Sequence, residues 1–384
     1  MNAPPLVVHV SPVRPAHSPR AYWQCRAALA AGLHAALVCP HDHDGERRGV
    51  PVLALPRPRN RLDRITRTAF RAVRRTLALR PDIVTIHDPE FVLWGLVFRA
   101  AGIPTVYDVH EDYAAAMGVR SWLPAPLRPL AAGLMRALAA LARGLYPVVI
   151  AERYYARTFP GAVEVLNYAR LEELAPLMAP AREPPARIRL LYTGSIGVER
   201  GALHALRLLD RLPADAELCF VGHCPSRALA RELRARAERD PRLVLRIDEE
   251  RWVPRETILA AYAESWTATV ALFPDDPHYR DKELTKFFES MAAGIPILCS
   301  DFPTWRALVA DGGVGFVVDP EDPAAAAAAV HRLHRDPDLA RAMGARGREL
   351  VRTRYNWESQ AARLLELYRT LLARRPRADR DRDE

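Results

Sequence analysis

At 384 residues and 49% hydrophobic side chains, the chain has room for two ordinary domains and is too apolar for a disordered or fibrous protein. Its net charge of +9 admits nucleic acid, an anionic membrane surface or a phosphorylated small substrate, but no zinc finger or base-reading motif accompanies it, so nucleic acid is set aside. Five cysteines without ligand spacing point to reduced structural thiols in a cytosolic chain; the start does not read as a secretory leader, and no apolar run reaches the roughly 20 residues of a bilayer span.

The apolar run Leu6–Val10 predicts a strand, followed by the loop Ser11–Ser18 and an alanine-rich helix to about Ala31. Ala35–Cys39 and Val50–Leu55 predict two more strands, and Leu62–Leu79 an arginine-bearing helix. Asp82–Ile86 and Thr105–Tyr107 predict strands that run into polar loops, HDPE at His87–Glu90 and DVHED at Asp108–Asp112. Val148–Ile150 follows, and Val163–Tyr168 closes the sheet. Repeated strand–loop–helix units imply a parallel sheet covered by helices, with binding residues beyond the carboxyl ends of the strands.

Pro176 to Pro185 reads as a linker. A second series follows, with strands at Ile188–Tyr192, Glu217–Val221, Leu243–Arg246, Thr269–Leu272, Ile297–Cys299 and Gly315–Val318. Helices are expected between them, among them Ala202–Leu212, Ser226–Ala237, Arg255–Tyr262, Leu284–Ala293 and Ala324–Leu333, with a closing helix at Trp357–Leu372. The expected organisation is an N-terminal Rossmann-like domain over 1–175, a linker over 176–187, and a C-terminal Rossmann-like domain over 188–355. A helix over 356–373 packs back towards the first domain, and 374–384 is a tail.

Chemistry concentrates in three places. The chain has only two lysines, Lys282 and Lys286, both in DKELTKFFESMAAGIP, where a compact ammonium suits phosphate. Glu289 lies three residues after Lys286, so one helix face carries an ammonium for a diphosphate and a carboxylate for ribose hydroxyls, unless the two form an ordinary surface pair. The turn LYTGSIGVERG places Gly194, Ser195 and Gly197 where backbone N–H groups meet phosphate, with Arg200 adding charge; a plain tight turn is the alternative. In the first domain, His87 and His110 adjoin strands among carboxylates. Their residue types suit a metal, but no HxH or HExxH pattern is present.

Taken together, KFFESMAAGIP at Lys286–Pro296, GFVVDP at Gly315–Pro320, HDPE, YDVHED, LNY at Leu166–Tyr168 and RYNWE at Arg354–Glu358 resemble the GT-B retaining glycosyltransferases of family 4, the group 1 glycosyltransferases. The resemblance covers almost the whole chain. It implies an α/β GT-B fold, two Rossmann-like domains facing across a central cleft, and transfer of a hexose-type sugar from a nucleotide sugar with retention and without an essential metal or cofactor. It implies His110 and Asp281 at the reaction centre, and Gly194, Ser195, Gly197, Arg200, Lys286 and Glu289 around the donor. Ser11, His17, His87, Glu90 and Asp112 fall to the acceptor side. Two positions depart from the pattern: Ser195 stands where many members carry arginine, and Asp281 where glutamate is usual.

UDP-sugars are expected first and GDP-sugars next, with a glycan, lipid-linked or small-molecule hydroxyl as acceptor. Nine arginines against the single acid Asp63 between Arg57 and Arg80, with the Leu- and Arg-rich stretch Met117–Leu145 and Trp122, read either as a surface for an anionic membrane or as solvated helices. The expected location is cytoplasmic, including the inner face of the cell membrane. The alternatives are a non-catalytic nucleotide-sugar-binding subunit and a GT-B-like nucleotide-sugar epimerase.

Overall fold

The computed structural model describes residues 3–13, 19–119, 124–178 and 183–374. They divide into two compact units, one running to Asn167 and resuming at Gln360, the other formed by Tyr168–Ser359. His17 and Trp122 lie outside the described residues.

The first unit carries eight strands: β1 Leu6–Val10, β2 His34–Pro40, β3 Gly45–Arg47, β4 Val50–Leu55, β5 Ile83–Ile86, β6 Thr105–Val109, β7 Val148–Ile150 and β8 Val163–Glu164. Their order across the sheet is β3-β4-β2-β1-β5-β6-β7-β8, parallel except for the antiparallel β3–β4 pair. The runs LVVHV and IVTI are buried on nearly every residue because helices cover both sheet faces, which is why these strands lack alternation. The short β3 was not expected. Its residues are polar, and only the hairpin register Gly45↔Val52 to Arg47↔Val50 makes it a strand.

The second unit has β9 Arg189–Ser195, β10 Glu217–His223, β11 Leu243–Asp248, β12 Ala268–Ala271, β13 Ile297–Ser300 and β14 Gly315–Val318, all parallel in the order β11-β10-β9-β12-β13-β14. Its core joins the inner faces of these strands to the helices Ala202–Leu209, Arg227–Arg239 and Pro323–Arg335. The division at Asn167–Tyr168 falls ahead of the proline-rich stretch. Leu174 and Leu177 are buried, and the turn Ala175–Leu177 packs on the helix Thr285–Ala293, so these residues belong to the second unit's core.

A 17-residue helix, Pro337–Thr353, had no counterpart in the sequence reading. Asp336 caps it, accepting the Leu339 N–H at 2.9 Å, with Pro337 in the first turn. Gly344 and Gly347 weaken its helical pattern, and the structure supplies their reason. A Cβ at Gly344 would lie 2.2 Å from the Gly294 carbonyl oxygen, so the glycine lets this helix press against the end of Thr285–Ala293.

No helix among the described residues is long and apolar enough to cross a membrane. All five cysteines are buried and free, and burial raises the Cys25, Cys39, Cys219, Cys224 and Cys299 thiols above the usual range.

Candidate functional site

In the second unit, β9 runs two residues past Tyr192 and Thr193. Gly194 and Ser195 are therefore strand residues, opposite Gly222 and His223 of β10, and not the first residues of a glycine-rich turn. Gly194 adopts φ +92, and a Cβ at Gly222 would lie 1.8 Å from the Gly194 carbonyl oxygen, so the two backbones meet where no side chain fits. The turn proper spans Ile196 to Gly201. The N–H groups of Ile196, Arg200, Gly201 and Ala202 bond within it or to His223, so fewer remain for a ligand than the spacing implied. Gly197 is extended, and the Glu199 carboxylate folds against it, 3.9 Å from Arg200 Nε.

Lys286 enters this region from the first turn of Thr285–Ala293. Its Nζ is shielded from solvent and has no hydrogen-bond partner. It lies 4.3 Å from the Tyr192 ring centre and 5.4 Å from that of Phe273, close to where a side chain at Gly194 would stand. Burial lowers its pKa to about 7; the Arg200 charge adds to the shift and Glu289 partly opposes it. Tyr192 donates its hydroxyl to the Arg200 carbonyl at 2.6 Å, and the Arg200 guanidinium stands 5.4 Å from the Tyr279 ring.

Glu289 does not pair with Lys286. Its buried carboxylate accepts from the Arg255 guanidinium, whose Nε donates to Glu173 at 2.8 Å. Arg255 is a charged neighbour that sequence reasoning assigned only to a helix. Asp281 is half-buried just beyond the helix Pro277–Arg280, within the electrostatic reach of Arg280. Gly194, Arg200, Lys286 and Glu289 are thus gathered in one region.

In the first unit, β1, β5 and β6 end side by side, so Ser11, His87 and His110 follow them on the carboxyl edge of the sheet. Ser11 donates to Asp88 at 2.6 Å. Behind them lies a buried network. His9 Nδ1 meets His87 Nε2 at 2.9 Å, and His87 Nδ1 meets His110 Nε2 at 2.9 Å. Asp108 Oδ2 lies 3.1 Å from His87 Nδ1 and 3.4 Å from His110 Nε2. Arg20 donates to both Asp108 oxygens at 2.7–3.0 Å, and Gln24 Nε2 to Oδ2 at 2.9 Å. Burial alone would raise the Asp108 pKa, but Arg20 and the two histidines hold it well below the carboxylate range. Burial pushes His110 down to about 3, against the pull of Asp108.

Glu90 and Asp112 have structural partners: Glu90 pairs with Arg64, and Asp112 accepts the Ala115 N–H at 2.9 Å, capping the helix Tyr113–Val119. A cavity of about 290 Å³ opens beside His110, lined in part by Tyr107, Tyr113, Tyr155 and Phe159, with the Tyr155 hydroxyl on the His110 carbonyl. Sequence reasoning missed His9, Arg20, Gln24 and Tyr368. A histidine inside LVVHV was the one available signal.

Three potential metal ligands, His87, Asp108 and His110, place donor atoms within 4.8 Å of one another. The Arg20 guanidinium already spans both Asp108 oxygens, and a divalent cation would face that charge. The set fits a hydrogen-bonded network better than a metal.

Two family models match the chain: "Glycosyl transferase 4-like domain" over residues 16–158 and "Glycosyl transferases group 1" over residues 187–336. A phosphatidyl-myo-inositol mannosyltransferase of Mycobacterium leprae is 40% identical over 83 residues, 22% of either chain. A D-inositol 3-phosphate glycosyltransferase of Thermobispora bispora is 30% identical over 224 residues, covering 50% of this chain and 52% of that one. The chain thus matches between about a fifth and a half of the length of these curated relatives. The crystal structure of Anabaena HepE in complex with UDP superposes with a TM-score of 0.67 at 12% identity, covering 95% of this chain and 100% of that one. This likeness shows the GT-B fold.

Proposed function

The chain belongs to the group 1 glycosyltransferases of GT-B fold, and from that premise we propose that it moves a hexose-type sugar from a nucleotide sugar to a hydroxyl acceptor, with retention and without a metal. The observation that carries this reading is the Lys286 ammonium, cut off from water yet without an anionic partner, beside Gly194 and Arg200. A buried, unpaired cation is costly unless a ligand supplies the missing charge. A diphosphate does so, and two cations there stabilise it as the glycosidic bond breaks.

Glu289, fixed by Arg255, takes the ribose hydroxyls, and Asp281 orients the transferred sugar. UDP-sugars are the first choice, as HepE was solved with UDP, and GDP-sugars the next. His110 stands at the reaction centre, and Ser11 and His87 serve the acceptor side, with the aromatic cavity beside His110 receiving part of the acceptor. The acceptor is a glycan, a lipid-linked sugar or a small molecule.

A membrane-borne acceptor draws support from the first unit's surface. Leu62, Ile65 and Phe70 are exposed among the arginines of 57–80, and Trp94, next to the exposed Leu93, donates its Nε1 to the Ile65 carbonyl. Leu130 and Leu134 project from Arg128–Leu145. On this reading the protein works in the cytoplasm at the inner face of the membrane. Sedimentation with anionic but not neutral vesicles is expected; equal recovery with both removes the membrane from the account.

A thermal-shift screen of UDP- and GDP-hexoses tests the donor, with Glu289→Gln expected to lose ribose-dependent stabilisation. NMR of the product anomer tests retention. Binding without turnover over a broad acceptor panel would favour a non-catalytic subunit, and conversion of the free nucleotide sugar an epimerase.

A further inference from the structure

The closing helix Trp357–Ala373 delivers one polar side chain to the buried network of the first unit. Tyr368 is fully buried, and its hydroxyl lies 3.0 Å from Thr85 Oγ1 and 3.3 Å from His9 Nε2. From there His9, His87 and His110 form an unbroken chain of ring nitrogens, each contact 2.9 Å. We propose that Tyr368 is a positioning residue that sets the tautomer of His110 through His9 and His87, so that His110 presents Nδ1–H to the reacting sugar. The inference rests on the assignment of His110 to the reaction centre.

The direction of the chain follows from one carboxylate. Asp108 takes Arg20 on both oxygens and Gln24 on Oδ2, so it is ionised and accepts only. His87 Nδ1, 3.1 Å from Oδ2, must therefore carry its proton, because a lone pair there would face a negative oxygen. His110 Nε2 stands farther from that oxygen, at 3.4 Å, and the His87 N–H also points at it, so it is the acceptor and the His110 proton resides on Nδ1. At the other ring nitrogen, His87 Nε2 accepts from His9 Nδ1–H, and His9 Nε2 accepts from the Tyr368 hydroxyl. Tyr368, in turn, is free to accept from Thr85.

Each link has one donor and one acceptor, and burial keeps His9 and His110 from taking a second proton. Reversing any ring would set two protons, or two lone pairs, against each other inside a buried network. Removing the Tyr368 hydroxyl takes away the donor that holds His9. Its proton is then free to move to Nε2, which leaves His87 Nε2 without a donor and loosens the chain towards His110.

Long-range 15N NMR on the full chain labelled at histidine tests this directly, with His9→Gln, His87→Gln and His110→Gln used to assign signals. In the unsubstituted protein, His110 should show protonated Nδ1 and bare Nε2, and His87 the same pattern. Tyr368→Phe should mix the tautomers of His9 and His110 and lower kcat about tenfold with KM little changed. Thr85→Val, which removes only the outermost donor, should keep the pattern. A His110 protonated on Nε2 in the unsubstituted protein overturns the proposal without any variant. So does Tyr368→Phe that melts earlier yet leaves the His110 signals unmoved. Shifted signals with unchanged kcat would uphold the relay and overturn instead the place of His110 in the reaction.

Discussion

Asp108 in the first unit and Lys286 in the second are both charged groups cut off from water, and their surroundings differ in kind. Asp108 has a guanidinium on both oxygens, an amide and two imidazole nitrogens within 3.4 Å, all from its own unit. Lys286 Nζ has two aromatic rings, a nearby Arg200 of like charge and no hydrogen bond. A saturated buried charge holds structure rigid, whereas an unsaturated one is stored for a partner that arrives later. On the proposed reading, the first site orients groups and the second takes up an anion.

The sharpest way to break this contrast is to delete the two charges and compare stability. Asp108→Ala strands Arg20 in the core and should destabilise the protein by about 3–5 kcal/mol in urea unfolding. Lys286→Met removes a charge that the unliganded fold does not satisfy, so its unfolding free energy at pH 7 should be unchanged or about 1 kcal/mol higher. Comparable losses in both variants would erase the distinction.

A pH series sharpens it next. The Lys286 pKa falls from 10.5 to about 7 in the fold, so between those values the unfolded chain binds the extra proton. Stability from this group is therefore greatest above pH 10.5 and is lost as pH falls through 7. Relative to Lys286→Met, the unliganded protein should gain stability as pH rises from 7 to 10, by at most about 1.4 kcal/mol per pH unit. A flat difference would mean that Lys286 reaches water. The smallest effect concerns a residue that the sequence placed with the acceptor: Asp112→Ala should cost about 1 kcal/mol through loss of its helix cap. No loss in urea unfolding would remove that role.

The two sites also differ in how much of them sequence could reveal. Lys286 stood out because lysine is nearly absent from the chain, and Glu289 because both share a helical segment. The strands were legible as apolar runs, since burial on both sheet faces leaves little alternation to misread. Arg255 as the partner of Glu289 was not legible, because their pairing spans 34 residues. The first site was hidden further: Arg20 meets Asp108 across 88 residues, and Tyr368 meets His9 across 359. Local spacing carries no trace of such contacts. Gly344 and Gly347 concealed a helix for a related reason, since their value lies in close packing against a neighbouring helix and not in helix propensity. The backbone role of Asp112, a carboxylate beside a histidine motif that accepts the Ala115 N–H, was likewise not legible from the motif.

Titration calorimetry of UDP and GDP against the unsubstituted protein and Lys286→Met, each at pH 6.5 and pH 9, addresses the stored charge itself. The unsubstituted protein should bind with proton uptake and weaken at the higher pH, and Lys286→Met should bind at least about tenfold more weakly with no such pH dependence. Equal affinity in the two proteins at both pH values would contradict the account.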